Sequence, residues 1–323
     1  MLLGAATITF LLAHAIPVDP IVVWLGKSAS YDANLVAIYT KTYHLHDPLY
    51  VQYVYYIIGL LHFQLGFSYL RHEPVATVIS QTFPYTLQII LLGMIIEVIL
   101  GVGGALLSAK YEGSVVEKVI KLTYIGSYAS PTFMIALVLL LIFTSAFKFL
   151  PTSGLADPFV SLPYHITGVP ILDALLEQNW PAFVSLLEHA ILPSLALAIA
   201  GYGFVTRVLG SSISDVMGST FVKAARSRGI TENKILLNYG LKNSLLEAIT
   251  LIALLLTFSL TGDVFVETIF SYPGLGYYAV QAIEAFDYPG IIGTTLVYTV
   301  IILVVNLAAD LLYLVADPRV RLK

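Results

Sequence analysis

Few residues of this 323-residue chain have the types and spacing that chemistry demands. Gly26-Lys27-Ser28 ends like a phosphate-binding loop, but position 21 is Ile where the first glycine is required. Gly262-Asp263 lacks the preceding glycine of an intramembrane aspartyl protease, and there is neither a Gly-x-Ser-x-Gly elbow nor a His-Glu-x-x-His pair. His44 and His46 beside Asp47 have side chains that ligate metals, yet three loop residues of this kind read better as solvated groups. With no cysteine there is no disulfide framework, thiolate metal site or cysteine nucleophile. The chain therefore reads as a non-enzyme.

The informative stretch is a basic island, Phe221 to Lys242, set between long apolar segments. It carries Ala224-Ala225, then Arg226-Ser227-Arg228, then Gly229, and then an amphipathic run from Thr231 to Tyr239. Ala224, Ala225 and Gly229 describe a helix with a small face followed by a break, after which Thr231 caps a second turn. A short helix of this kind beside the membrane is a docking surface for a soluble partner. Arg226, Arg228 and Lys234 are available to pair with acids there, although solvated charges contribute little one by one.

The elements that must carry this island follow from composition. Hydrophobic residues make up 58% of the chain and charged ones 11%, against about a quarter charged in soluble domains. Lipid is thus the main solvent, and the net charge of −4 says little about partners. A bilayer core needs about 20 apolar residues per helix. Five segments meet that test: Pro84 to Ala109, Leu122 to Phe147, His189 to Leu209, Ser244 to Thr261, and Pro289 to Ala316. A sixth, Leu2 to Ile16, is short. Ala13-His14-Ala15 gives it a second reading as a signal peptide, but no Lys or Arg precedes it, which favours a spanning helix.

Twelve of the 16 bases fall on one side: Lys110, Lys118, Lys121, Arg207, Lys223, Arg226, Arg228, Lys234, Lys242, Arg319, Arg321 and Lys323. That side, with the island and the C-terminus, is expected to be cytoplasmic. Leu49 to Phe67 is long enough for a further span, but Gln52, His62 and Gln64 oppose that. Tyr50, Tyr53, Tyr55 and Tyr56 suit a helix lying along the outer membrane face. The expected plan is all-α: a first transmembrane helix over 1–16, an external cap over 17–83, a five-helix core over 84–316 with a cytoplasmic loop at 210–243, and a tail over 317–323.

Gly93, Gly101, Gly103, Gly104 and Ala105 give one span a small face for close helix packing. Pro131 and Pro193 are expected near helix starts, where a missing N–H is tolerated. Glu97 lies near mid-span, where a charged carboxylate costs at least about 2.5 kcal/mol. It faces protein or a wet cavity, either as a functional acid or as a neutral packing group. Asn306 and Asp310, four apart on one helix face, are expected to bind neighbouring helices. Tyr272-Pro273-Gly274-Leu275-Gly276 predicts a tight reversal, followed by a helix over Tyr277 to Phe286. With Glu267 and Glu284 this loop reads either as part of an outer gate or as a plain turn.

The island resembles the loop of ABC importer permeases in which an Ala-Ala pair, three residues and a Gly form the coupling helix. Phe221 to Gly229 and Leu241 to Leu246 are similar to the peptide/oligopeptide branch of that family. So are Glu267 to Gly276, Asp287-Tyr288-Pro289, Asn306 to Tyr313 with Asp317-Pro318-Arg319, Pro17 to Pro20, and Asp47 to Tyr53. Lys223 stands where the general motif opens with an acid, and Glu247 where it closes with proline. The resemblance covers nearly the whole chain. It implies a type I ABC importer permease fold of about six transmembrane helices in the cell membrane of a prokaryote.

The same resemblance implies partners: a second homologous permease, two ABC ATPase subunits and an external solute-binding protein, with no nucleic acid. ATP and Mg would be bound by the ATPase subunits and no cofactor by this chain. Peptides, oligosaccharides and nickel all remain open as cargo. A stand-alone secondary transporter would carry inverted repeats or helices broken at mid-span, and neither is found in the sequence.

Overall fold

The computed structural model describes residues 2–15, 33–42, 46–62, 64–244, 255–256, 259 and 264–316. Outside them lie Gly26-Lys27-Ser28, His44, most of the fifth expected span with Glu247, Gly262-Asp263 and the tail from 317. The chain divides into two compact units, residues 1–85 with 273–301 and residues 86–272 with 302–323.

In the first unit, α1 (Leu2–Ala15) lies against α3 (Leu49–Leu61), and α2 (Ala33–Thr42) comes between them in sequence. Thr7 Oγ1 is 2.6 Å from the Tyr53 hydroxyl, and the Phe10 ring stacks on Tyr56. Tyr50 and Tyr55 point outward at 72% and 51% exposure, so the four tyrosines divide between helix packing and surface. At 13 residues α3 is about 20 Å long, too short for a bilayer core. A small antiparallel hairpin, β1 (Phe67–Ser68) with β2 (Glu73–Pro74), pairs Phe67 with Pro74 and Ser68 with Glu73.

That hairpin leads into α4 (Val75–Lys110), which starts nine residues before the expected Pro84. Burial explains the extension. Val75, Val78 and Ile79 form a core with Leu275, Tyr278 and Ala282 of α11 (Leu275–Glu284), which answers to the helical spacing read over Tyr277 to Phe286. The last helix, α12 (Tyr288–Ala316), is capped by Asp287. This carboxylate, 1% exposed, accepts from Ser68 Oγ, Tyr69 N–H at 3.4 Å, Gly290 N–H at 3.3 Å and the Tyr278 hydroxyl at 3.4 Å.

In the second unit, α5 (Val115–Ala129) opens on side-chain caps from both ends of its first turn. Ser114 Oγ accepts from Glu117 N–H, and the Glu117 carboxylate accepts from Gly113 N–H at 2.6 Å. The expected single span Leu122 to Phe147 is broken. Pro131 has no N–H to continue the ladder and forces Ser130 into an extended conformation, so α5 ends and α6 (Thr132–Ser145) starts at an angle of 110°. Pro131 is thus a helix start, as read, but of a second helix within that segment.

α7 (Pro170–Leu176) precedes α8 (Trp180–Met217), which is capped by Asn179 Oδ1 accepting from Ala182 N–H at 3.2 Å. Pro181 takes the first-turn position, and Pro193 lies inside the helix rather than at its start. The reading of Pro193 fails because α8 extends nine residues before His189 to bury Ala182 and Leu186 against Ala174.

Hydrogen bonds show that α4 and α8 run parallel. Ser194 Oγ donates to Ile89 O at 3.0 Å and, three α8 turns on, Thr206 Oγ1 donates to Gly101 O at 3.3 Å. The small face does the packing: a Cβ on Gly93 would lie 3.0 Å from Ser194 O, one on Gly101 2.5 Å from Val205 Cβ, and one on Gly104 2.8 Å from Thr206 Oγ1. Gly103 has no neighbour within 4 Å among the described residues and takes no part in the α4–α8 contact. Parallel neighbours require the chain to return between them. The bent pair α5–α6 lies between them in sequence; counted as one span, it joins α4, α8 and α12 as the segments long and apolar enough to cross a membrane among the described residues.

Candidate functional site

The basic island is built on the end of α8. After Gly218, Ser219 takes the extended N-cap conformation and α9 (Thr220–Ser227) begins. The helix ends because Gly229 enters the left-handed region at φ 75°, where a side chain is disfavoured. Its N–H donates to Arg226 O at 2.9 Å, and Ile230 N–H donates to Ala225 O at 3.3 Å. No atom of the described residues lies within 4 Å of a Cβ built on Gly229, so the glycine answers to backbone conformation.

α9 has two faces. Val222 and Ala225 pack with Ile235 of α10 (Glu232–Ile235) and against Val216, Met217, Ile230 and Tyr239. Phe221, Lys223, Ala224, Ser227 and Arg228 are exposed. The alanine pair is therefore split, Ala225 inward and Ala224 outward. Burying Val222 and Ile235 contributes roughly 1.5–3 kcal/mol each, so apolar contact sets the angle between α9 and α10.

Arg226 is not free for an outside acid. Its guanidinium donates to both Glu232 oxygens, at 2.7 and 3.2 Å, and holds the Glu232 carboxyl below the usual carboxylate range. With 41% and 63% of the side chains exposed, this pair is a surface brace of modest strength. Thr231 also departs from expectation. It occupies the N-cap of α10 by backbone position, with no side-chain bond, while its carbonyl accepts from Ile235 N–H at 3.0 Å.

The island returns to the core through a π-helical stretch, Leu236–Leu241. Leu236 joins Ala105, Leu209 and Ile213 in a buried cluster, and Gly240 lies close to Ile213 and Met217. Packed side chains thus join the island to α8.

The stretch from Glu267 to Gly276 makes its reversal without the left-handed glycine that the sequence suggested. Glu267 is fully buried and accepts from Thr86 Oγ1 at 2.5 Å. Tyr272 is fully buried as well, and its hydroxyl accepts from Gln88 Nε2 at 2.6 Å. The reversal turns on Ser271 at φ 47°. Gly274 is the N-cap of α11 and Gly276 is buried within it, so neither supplies the left-handed residue; Pro273 is half-buried between them and Tyr272. Glu284 is exposed. Gln88, unremarked in the sequence, also accepts from Ile171 N–H at 2.9 Å and so ties α4 to the segment before α8. No spacing signal marks such a residue, because its partners lie 83 and 184 positions away.

Glu97 is 3% exposed and sits in the α4–α8 seam. Asn306 is exposed, and the side chain of Asp310 lies outside the described residues.

Known proteins agree with this architecture. Residues 101–322 match the family described as binding-protein-dependent transport system inner membrane component, and residues 1–90 match its N-terminal companion. The chain belongs to this family, the permease subunits of ABC importers, and has the type I importer permease fold. It is a multi-pass membrane protein of a transport system whose ATPase resides in other subunits. It is 35% identical to the probable D,D-dipeptide transport system permease protein DdpB of Escherichia coli K12, over 98% of this chain and 93% of that protein. It is 30% identical to the dipeptide transport system permease protein DppB of the same strain, over 99% and 95%. Its identity to the oligopeptide transport system permease protein AppB of Bacillus subtilis is 31%, over 99% and 95%.

Proposed function

We propose that this chain forms, with a second homologous permease, the translocation pathway of an ATP-driven peptide importer, and that α9 is its coupling helix. The observation that carries the proposal is the division of α9 into a buried face locked to α8 and α10 and an exposed face of Phe221, Lys223, Ala224, Ser227 and Arg228. A small residue flanked by an aromatic ring and two cations suits a cleft with an apolar floor and an acidic rim. The names of the relatives, all di- or oligopeptide permeases among those compared above, support peptides as cargo.

In this reading the island and the C-terminus are cytoplasmic, as the skew of bases toward that side supports. Two ABC ATPase subunits bind ATP and Mg, and this chain binds no cofactor and catalyses nothing. Closure of the ATPase pair moves α9, and α8 carries that motion as a rigid body. An external solute-binding protein delivers cargo at the opposite side. The stretch with Glu267, Tyr272, Pro273, Gly274 and Gly276 acts there as the support of the outer gate, its first two side chains held by Thr86 and Gln88.

Deleting residues Ala225 to Gly229, or replacing Ala224→Glu on the exposed strip, is expected to abolish co-purification of the ATPase subunits while the chain still inserts in the membrane. Normal co-purification of both variants would overturn the docking role. The ligand retained by the cognate binding protein tests the cargo: a peptide is expected, and a sugar or a metal ion would transfer the reading to that class.

A further inference from the structure

The α4–α8 seam holds one acid among its glycines. Gly93, Glu97, Gly101 and Ala105 follow one another at four-residue intervals on α4, so all four lie on the ridge that faces α8. Opposite Glu97 is Gly201. A Cβ built there would lie 2.3 Å from Glu97 Oε1, 2.4 Å from Cδ and 2.7 Å from Oε2. The carboxyl group therefore fills the space where α8 lacks a side chain. Its Oε1 is buried and has no hydrogen-bond partner among the described residues.

From this geometry we infer that Glu97 is a register key: its carboxyl, as the neutral acid, seats in the Gly201 notch and locks α4 to α8 in one parallel alignment. Steric fit defines the lock. Moved one turn along α8, the carboxyl meets Leu197 or Val205, both buried, in place of the glycine. Helices that shift against each other often do so by whole turns, and an acid over a lone glycine blocks that slip in both directions.

The chemistry of the pocket sets the protonation state. An ionised carboxylate at membrane depth without a countercharge is costly, and no ion pair among the described residues involves Glu97. On α8 the titratable neighbour of the notch is Tyr202, and the next fixed charge along the helix is Arg207, whose guanidinium lies 5.9 Å from the centre of the Tyr128 ring. From α5, Tyr124 O and Ser127 Oγ approach Gly203, two residues past the notch.

The lock does not depend on the docking role of α9, and its test reads assembly without the ATPase. Full-length variants are compared in membranes for yield of folded protein and thermal midpoint in detergent. Gly201→Ala is expected to lower folded yield by on the order of ten-fold, because the new methyl overlaps the carboxyl. Adding Glu97→Ala vacates that space and is expected to restore most of the yield, while Glu97→Gln, the same shape without charge, stays near wild type. Infrared difference spectra at neutral pH should show a protonated-acid carbonyl band that Glu97→Gln removes. A silent Gly201→Ala, a double variant no better than Gly201→Ala alone, or a carboxylate band for Glu97 would each overturn the inference.

Discussion

Asp173 shows how one side chain organises a loop that composition alone leaves open. It is 1% exposed and accepts from Thr167 N–H and Oγ1, both at 2.6 Å, and from Gly168 N–H at 3.1 Å. Burial pushes its carboxyl up, but these donors outweigh burial and hold it below its ordinary value of 3.8. Its contribution to stability is therefore complete above that value and is lost as pH falls through the lower folded-state value. Asp173→Asn keeps one acceptor oxygen and turns an amine toward the remaining donors. It is expected to destabilise the protein by about 1–3 kcal/mol at neutral pH, read as a lower unfolding midpoint in detergent. The gap between variant and wild type should close in strong acid. Glu267, Tyr272, Gln88 and Asp287 share this logic: polar groups withdrawn from water find partners within the fold, and those partners are too distant in sequence to be inferred from spacing.

At the scale of elements, the island was the most legible part of the chain. Helix and break follow from Ala224-Ala225 and Gly229, because a left-handed glycine is a local property, while Thr231 marks the second turn by backbone position alone. What the residues could not convey was direction. Arg226, one of three bases available for an outside acid, is paired with Glu232, since which way a side chain turns depends on what α10 offers it. Gly229 itself is open to test. Gly229→Val forces a β-branched residue to φ 75° and is expected to cost about 1–2 kcal/mol. Limited proteolysis should then cut the 228–231 turn faster, while the α4–α8 seam stays intact. Prolines were legible as breakers only where the helix had no other support. Pro131 stops α5, whereas Pro84 and Pro193 remain inside long helices whose early turns are buried on Val75 and Leu186.

At the scale of the molecule, α4 and α8 run parallel with the bent pair between them in sequence, and the basic island follows directly on the end of α8. The chain presents no catalytic constellation of its own among the described residues, and as one permease subunit of an importer it depends on the rest of that system. Purified and reconstituted alone in vesicles, it is expected to show no uptake of peptide under an ion gradient. Uptake should require the second permease, both ATPase subunits and ATP. Accumulation by the isolated chain would instead mark it as a gradient-driven carrier.

Hydropathy and local turn chemistry, both readable residue by residue, were enough to determine that the chain lives in lipid, where its helices approximately lie and which loop bears the basic island with its glycine break. Tertiary structure alone decided that Leu122 to Phe147 bends by 110°, that α4 and α8 run side by side in the same direction, and that Glu97 meets Gly201. The reason is range. Propensity and capping act over a few residues, whereas seams, buried polar partners and helix starts are set by surfaces about a hundred positions apart, and their fit exists only once those surfaces are packed together.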